Sequence, residues 1–157
     1  MHKEVFYKFQ KKTEIPLLKC SDDELVVKKV KPRLFSSLHA FLWTIETVFF
    51  GSYVQYQLCR GGKIVSKADV VSWIPQFVFM PKCGIHIGPC YTMLDERGHG
   101  YYPYLLDIIV NDYLPKECYM IVSPTNISSI RGIEKAGFVP FALGRRTRLG
   151  TYVIENE

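Results

Sequence analysis

The sequence predicts an α+β fold, with α/β character in its second half, built on one mixed sheet. Two β-rich runs, Tyr53 to Arg60 and Lys63 to Trp73, are separated only by Gly61-Gly62, whose tolerance of positive φ makes a tight hairpin the natural connection. From Gly84 onward the pattern changes to strand, helix, strand, helix, the order that produces a parallel pair. The sheet is therefore expected to be antiparallel early and parallel later, flanked by helices.

Val5 to Phe9 and Leu25 to Val30 have strand-like composition. Leu34 to Phe49 spaces its apolar residues as a helix does, with Ser36 and Ser37 near its start, and Gly51 ends it. After the hairpin, Gly84 to Thr92 reads as a strand and Gly98 to Tyr113 as a helix. Glu117 to Ser123 is a short apolar strand, and Ser128 to Ala136 is a second helix. Phe138 to Leu143 and Thr147 to Ile154 are closing strands. Pro89 is awkward inside its strand, because proline donates nothing to a ladder and belongs at an edge or a bulge.

At 157 residues and 48% hydrophobic content, the chain suits a single domain over residues 1–157 with one core. Its longest apolar stretches, Phe41 to Phe50 and Trp73 to Met80, fall short of the roughly 20 residues a membrane span needs. Met1 to Lys12 lacks the apolar centre of a secretory signal, so a cytoplasmic location is expected. Five cysteines, none in CxxC spacing, argue for reduced thiols rather than a zinc or disulfide framework, and no metal is expected. The net charge of +5 is scattered in short groups such as Lys28 to Lys31 and Arg145 to Arg148. No nucleic-acid stripe results, although a phosphate-bearing small ligand would suit the balance.

The segment Leu94 to Gly100 joins a strand to a helix, where the first backbone N–H groups have no intrahelical partner. Gly98 and Gly100 let an anion approach that backbone, and the helix dipole favours negative charge there. By itself a glycine-rich strand-to-helix turn is more often just a tight connection.

Arg97-Gly98-His99-Gly100 resembles the Q/R-x-x-G-x-G/A segment of the Gcn5-related N-acetyltransferase superfamily. Asn126 to Phe138, with Ser129, Lys135 and the Gly137-Phe138 pair, is similar to that superfamily's N-x-x-(A/S)-x-x-x-x-x-K-x-G-F segment. Ile87 to Thr92 and Tyr101 to Leu106 also look like a bacterial-type subgroup of it. The resemblance covers about residues 84–143, the acyl-CoA half of such a domain. It implies an acyl-CoA N-acyltransferase fold whose mixed sheet splays at its fourth and fifth strands, opening a slot for the pantetheine arm. Gly88-Pro89 would sit at the bulge of that slot.

The same resemblance implies acetyl-CoA as cosubstrate. Arg97, Gly98, His99, Gly100, Tyr101 and Tyr102 would hold the diphosphate, and Tyr91, Thr92 and Met93 would offer main-chain groups to the pantetheine. Asn126 and Ser129 would complete the cofactor side. Tyr102 departs from the pattern, since relatives carry a small residue there. Ile133 stands where many relatives have a tyrosine that protonates the leaving thiolate.

His86 occupies a position similar to the glutamate base of the histone acetyltransferase branch and is the candidate general base. Strand alternation puts it opposite Ile85 and Ile87. An imidazole satisfied by local hydrogen bonds is the structural alternative. The side chain of His99 is expected to face solvent, and Cys90 to be packing rather than nucleophile. Trp73 to Phe79 would either help to line the acceptor pocket or pack in the core.

The implied function is transfer of acetyl from acetyl-CoA to a primary amine, an amino sugar being one such acceptor, by direct attack in a ternary complex. A catalytically silent acyl-CoA-binding module is the alternative, and a protein-amine acetyltransferase stands behind it. No nucleic acid or membrane partner is implied. Exposed strand edges near the C-terminus would support a homodimer.

Overall fold

The computed structural model describes residues 3–10, 25–31, 45, 47 and 51–155. The helix expected over Leu34 to Phe49 lies outside them except at Ile45 and Thr47, both helical. The strands are β1 (Lys3–Phe9), β2 (Leu25–Val30), β3 (Tyr53–Arg60), β4 (Lys63–Ser72), β5 (Ile85–Thr92), β6 (Cys118–Val122), β7 (Phe138–Arg146) and β8 (Tyr152–Ile154). Two helices interleave with the later strands, α1 (Tyr101–Tyr113) and α2 (Ile127–Lys135). All eight strands form one sheet in the order β2-β3-β4-β5-β6-β1-β7-β8.

The hairpin between β3 and β4 turns at Gly61 and Gly62, with φ of 54° and 80°. Neighbours are antiparallel throughout except β5 and β6, the expected parallel pair. The order of elements gives no hint of where β1 goes. The N-terminal strand is inserted between β6 and β7, antiparallel to both.

Two expected boundaries move. β7 continues to Arg146, and the last strand begins only at Tyr152 rather than Thr147. Thr147 to Thr151 is a closed turn: the Thr147 N–H donates to the Thr151 carbonyl at 2.8 Å, and the Thr151 N–H donates to Thr147 Oγ1 at 3.1 Å. The helix expected from Gly98 starts at Tyr101, because Gly98 and Gly100 take φ of 86° and 80°, which no right-handed helix accommodates.

Both helices cover one face of the sheet. Leu105, Leu106, Ile109 and Val110 of α1 are buried against Leu58, Val65, Ile85 and Ile87. At about 1.5–3 kcal/mol for each fully buried side chain, this face anchors the strand-to-helix turn that precedes α1. The opposite face is aromatic. Phe77, Tyr119, Phe79 and Phe6 pack there, with Phe6 and Phe79 edge to face at 4.8 Å. The site lies where β5 connects these two layers.

Candidate functional site

β5 changes partners midway along its length. It pairs with β6 only at Ile85↔Cys118 and His86↔Tyr119, and beyond those residues the two parallel strands splay. On its other edge, β4 pairs Ala68 with Cys90 and Val70 with Ile87. Gly88 and Pro89 therefore stand opposite the single residue Asp69, a β-bulge in a central strand. Gly88 has φ of 138°, a conformation that favours glycine, and Pro89 sits where no ladder N–H is required. Tyr53 Oη and Gln55 Nε2 donate to the Asp69 carboxylate at 3.0 and 2.8 Å, which fixes the strand opposite the bulge. In this chain's own count the splayed strands are the fifth and sixth, because β1 is added to the sheet from the N-terminus.

Two clefts meet at the splay. The first, of about 540 Å³, is lined by Tyr91, Thr92, Arg97, Gly98, Gly100 and Tyr101, and on the side of α2 by Asn126, Ser129, Arg131 and Lys135; we call it the loop cleft. A Cβ added at Gly98 or Gly100 would meet nothing within 4 Å, so the backbone there is open to an approaching group. Arg97 Nε donates to the Thr92 carbonyl at 3.3 Å, and its guanidinium lies 6.0 Å from the Tyr91 ring. Asn126 caps α2 by accepting the Ser129 N–H at 3.2 Å.

One ion pair holds the turn in place. Arg60, at the end of β3, donates through Nη2 to Glu96 Oε1 at 2.7 Å and through Nη1 to Tyr101 Oη at 2.8 Å. The turn and the first residue of α1 are thus tied to the hairpin by charge-assisted bonds.

The second cleft, of about 470 Å³, is lined by Glu4, Phe77, His86, Gly88, Pro89 and Tyr152, together with residues of β6 including Met120 and Val122; this is the strand cleft. His86 is 6% exposed, on the face opposite the buried Ile85 and Ile87, as strand alternation predicts. Its ring stacks on Phe77 at 4.1 Å and 24°, and Phe77 in turn stacks on Tyr152 at 5.8 Å and 19°. A Cβ at Gly88 would lie 3.5 Å from His86 Cε1, in ordinary van der Waals contact with the imidazole.

Cys90, Tyr102, Asn126 and Ser129 line both clefts and form the neck between them. Tyr102 does not crowd the glycine turn. Its ring lies against Gly132 of α2, where a Cβ would come within 2.4 Å of Cδ1. Its hydroxyl bonds the Cys90 thiol, and burial pushes that thiol up to about 12, which keeps it protonated and poorly nucleophilic. Among the described residues, no group of three or more His, Cys, Asp or Glu could hold a metal ion.

The structure leaves two expected residues at the margin. Met93 lines neither cleft, and its N–H donates to the Val65 carbonyl at 3.0 Å, so that amide is already engaged. His99 is exposed with its ring on Tyr101, outside the lining. Of the Trp73 to Phe79 stretch, Phe77 lines the strand cleft. Two cations of the loop cleft, Arg131 and Lys135, were not singled out as site residues from the sequence, although Lys135 stands in the Asn126 to Phe138 segment and their i, i+4 spacing on α2 was the available signal. Glu4 and Tyr152 carried no such signal.

No protein-family model and no curated protein matches the sequence. Solved structures do match it. A GNAT-family acetyltransferase from Colwellia psychrerythraea superposes with a TM-score of 0.60 at 12% identity, over 89% of this chain and 53% of that one. A GCN5-related N-acetyltransferase from Sphaerobacter thermophilus gives 0.62 at 13%, over 90% of this chain and 49% of its own. AAC(6')-Ib in complex with paromomycin and acetyl-CoA gives 0.58 at 16%, over 83% and 91%. The chain spans about half the length of the first two. What these structures share with it is the architecture: this chain has the acyl-CoA N-acyltransferase fold of the Gcn5-related enzymes.

Proposed function

We propose that the protein is an N-acetyltransferase that moves an acetyl group from acetyl-CoA to a primary amine of a small molecule. The observation that carries this reading is the neck at Cys90, Tyr102, Asn126 and Ser129, which joins a basic, glycine-lined cleft to a second cleft holding His86. The glycine turn with Arg97, Arg131 and Lys135 would take the diphosphate of coenzyme A. The β5 edge released from β6 would face the pantetheine arm, with Tyr91 and Thr92 alongside. The thioester would then reach through the neck into the strand cleft.

There the amine nitrogen attacks the thioester carbonyl, the C–N bond forms, the C–S bond breaks, and coenzyme A leaves as its thiolate. The proton lost by the nitrogen goes to a ring nitrogen of His86, whose side chain lines the strand cleft. Direct attack fits the protonated Cys90 thiol, which offers no acyl-enzyme route. One fold relative agrees in kind, AAC(6')-Ib being solved with acetyl-CoA and paromomycin. Among the described residues, no helix is long and apolar enough to cross a membrane.

One observation favours a second reading, a silent acyl-CoA-binding module: the Tyr102 ring occupies the neck through which the thioester must pass. Thiol release from acetyl-CoA over a panel of amines separates the two. Amine-dependent release supports transfer; tight coenzyme A binding without acceleration by any amine supports the silent module. Absence of calorimetric heat with acetyl-CoA removes both.

A further inference from the structure

We propose that Phe77, held in place by Tyr152, is a positioning residue that sets the orientation of the His86 imidazole, so that the closing turn of the chain controls the candidate base. This inference rests on the transferase reading, in which His86 takes the proton. The χ2 torsion of a histidine has a broad, shallow profile, so its own backbone does not fix where the ring nitrogens point. A general base works only with its nitrogen about 2.6–3.2 Å from the group that gives up the proton, and the ring must therefore be held. β5 supplies no side chain for this at Gly88, the position where a Cβ would touch His86 Cε1.

Three rings lie nearly parallel along the strand cleft. His86 meets Phe77 at 4.1 Å and 24°, and Phe77 meets Tyr152 at 5.8 Å and 19°. Phe77 is fully buried, and Phe79 stands edge-on to it at 6.0 Å. The backbone around it is fastened twice over. The Phe77 N–H donates to the Ile74 carbonyl at 2.9 Å, closing a turn beyond β4, and the Phe77 carbonyl accepts the Met80 N–H at 3.3 Å. One residue earlier, the Gln76 carbonyl accepts the Tyr152 N–H at 2.9 Å, and Gln76 Nε2 donates to the Gly150 carbonyl at 3.0 Å across 74 positions of sequence. Arg146, the cross-strand partner of Tyr152, lies 5.7 Å from its ring and donates through Nε to the same Gly150 carbonyl at 3.3 Å. The turn between β7 and β8 thus grips the Phe77 segment by backbone and by ring, and the imidazole is held through it.

The test is a double-mutant cycle on kcat, with acetyl-CoA and the fastest acceptor from a panel of primary amines that includes butylamine and glucosamine. Phe77→Leu and Tyr152→Leu should each lower kcat about tenfold, the value of one aromatic pair, with KM for acetyl-CoA little changed. Tyr152→Phe, which keeps the ring, should recover most of the loss. On the His86→Ala background neither leucine variant should lower kcat further, a pattern that a general loss of packing would not reproduce. The second readout is the His86 ring proton in an NMR spectrum at alkaline pH, assigned by its absence in His86→Ala. A proton held over a benzene face resonates upfield, and Tyr152→Leu should move it toward the position of an unstacked histidine. Tyr152→Leu carries the test by itself if Phe77→Leu does not fold. An unchanged kcat in Tyr152→Leu, a loss that persists in full on the His86→Ala background, or a His86 signal that Tyr152→Leu leaves in place overturns the inference. If coenzyme A binds but no amine of the panel is acetylated, the transferase reading falls, and the signal alone decides: moved by Tyr152→Leu, the stack holds the ring; unmoved, it does not.

Discussion

The loop cleft and the strand cleft share four residues at their neck, yet they are assembled in different ways. The loop cleft draws on two short, nearly continuous segments, Tyr91 to Pro103 and Asn126 to Lys135, and depends on backbone conformation at Gly98 and Gly100. The strand cleft gathers Glu4, Phe77, His86, Met120 and Tyr152 from five separate parts of the chain, and depends on sheet order. A ligand held by main-chain groups needs a local conformation, which a motif encodes. A ligand held by side chains from distant strands needs the whole topology.

The contrast can be tested most severely at His86. His86→Ala should lower kcat about a hundredfold or more while leaving coenzyme A affinity as it was, and should remove the acid limb of the pH–rate profile, because an imidazole accepts a proton only while it is itself unprotonated. A pH–rate profile parallel to that of the unaltered protein would reduce His86 to a packing residue on Phe77.

Gly132→Ala probes the neck. A Cβ there would sit 2.4 Å from the Tyr102 ring, so the ring must leave its place or α2 must shift, at a cost of about 1–3 kcal/mol in urea-unfolding stability. Pairing it with Tyr102→Ala should recover most of that loss, and failure to recover would show that the ring does not rest on Gly132.

On the loop side, Arg131→Ala and Lys135→Ala should each weaken coenzyme A binding up to about tenfold by calorimetry, with a shallower salt dependence, and should change kcat at saturation little. A loss of kcat instead would place these cations in the strand cleft's chemistry. The smallest effect is expected at Gly100→Ala, about 1 kcal/mol of stability, because the penalty lies in φ of 80° rather than in any clash. An unchanged melting temperature would mean that the turn relaxes. As a check on both clefts, acetyl-CoA should leave no acetyl adduct on Cys90 by intact-mass measurement, since burial holds its thiol up at about 12.

The loop cleft was legible because its signals are local. Gly98, Gly100, Asn126 and Ser129 stand in the sequence at spacings that a turn and a helix cap require, and the structure brings them together. Pro89 was equally readable: a proline in a central strand demanded a bulge, and β5 has one. Misplaced boundaries came from residues whose local bond outweighed propensity, as where Thr147 closes a turn on Thr151 instead of continuing a strand. Met93 stands outside the lining of both clefts, and its amide pairs with Val65, a partner 28 positions away.

By itself the sequence determined the hairpin, the parallel pair and the face of β5 that carries His86, since each follows from backbone geometry over a few residues. Tertiary structure alone decided that the first strand inserts between β6 and β7, and so brings Glu4 to the cleft that His86 lines. Strand order in a sheet is set by which apolar faces can be buried together across the whole chain. That energy belongs to no single segment, so no motif can record it.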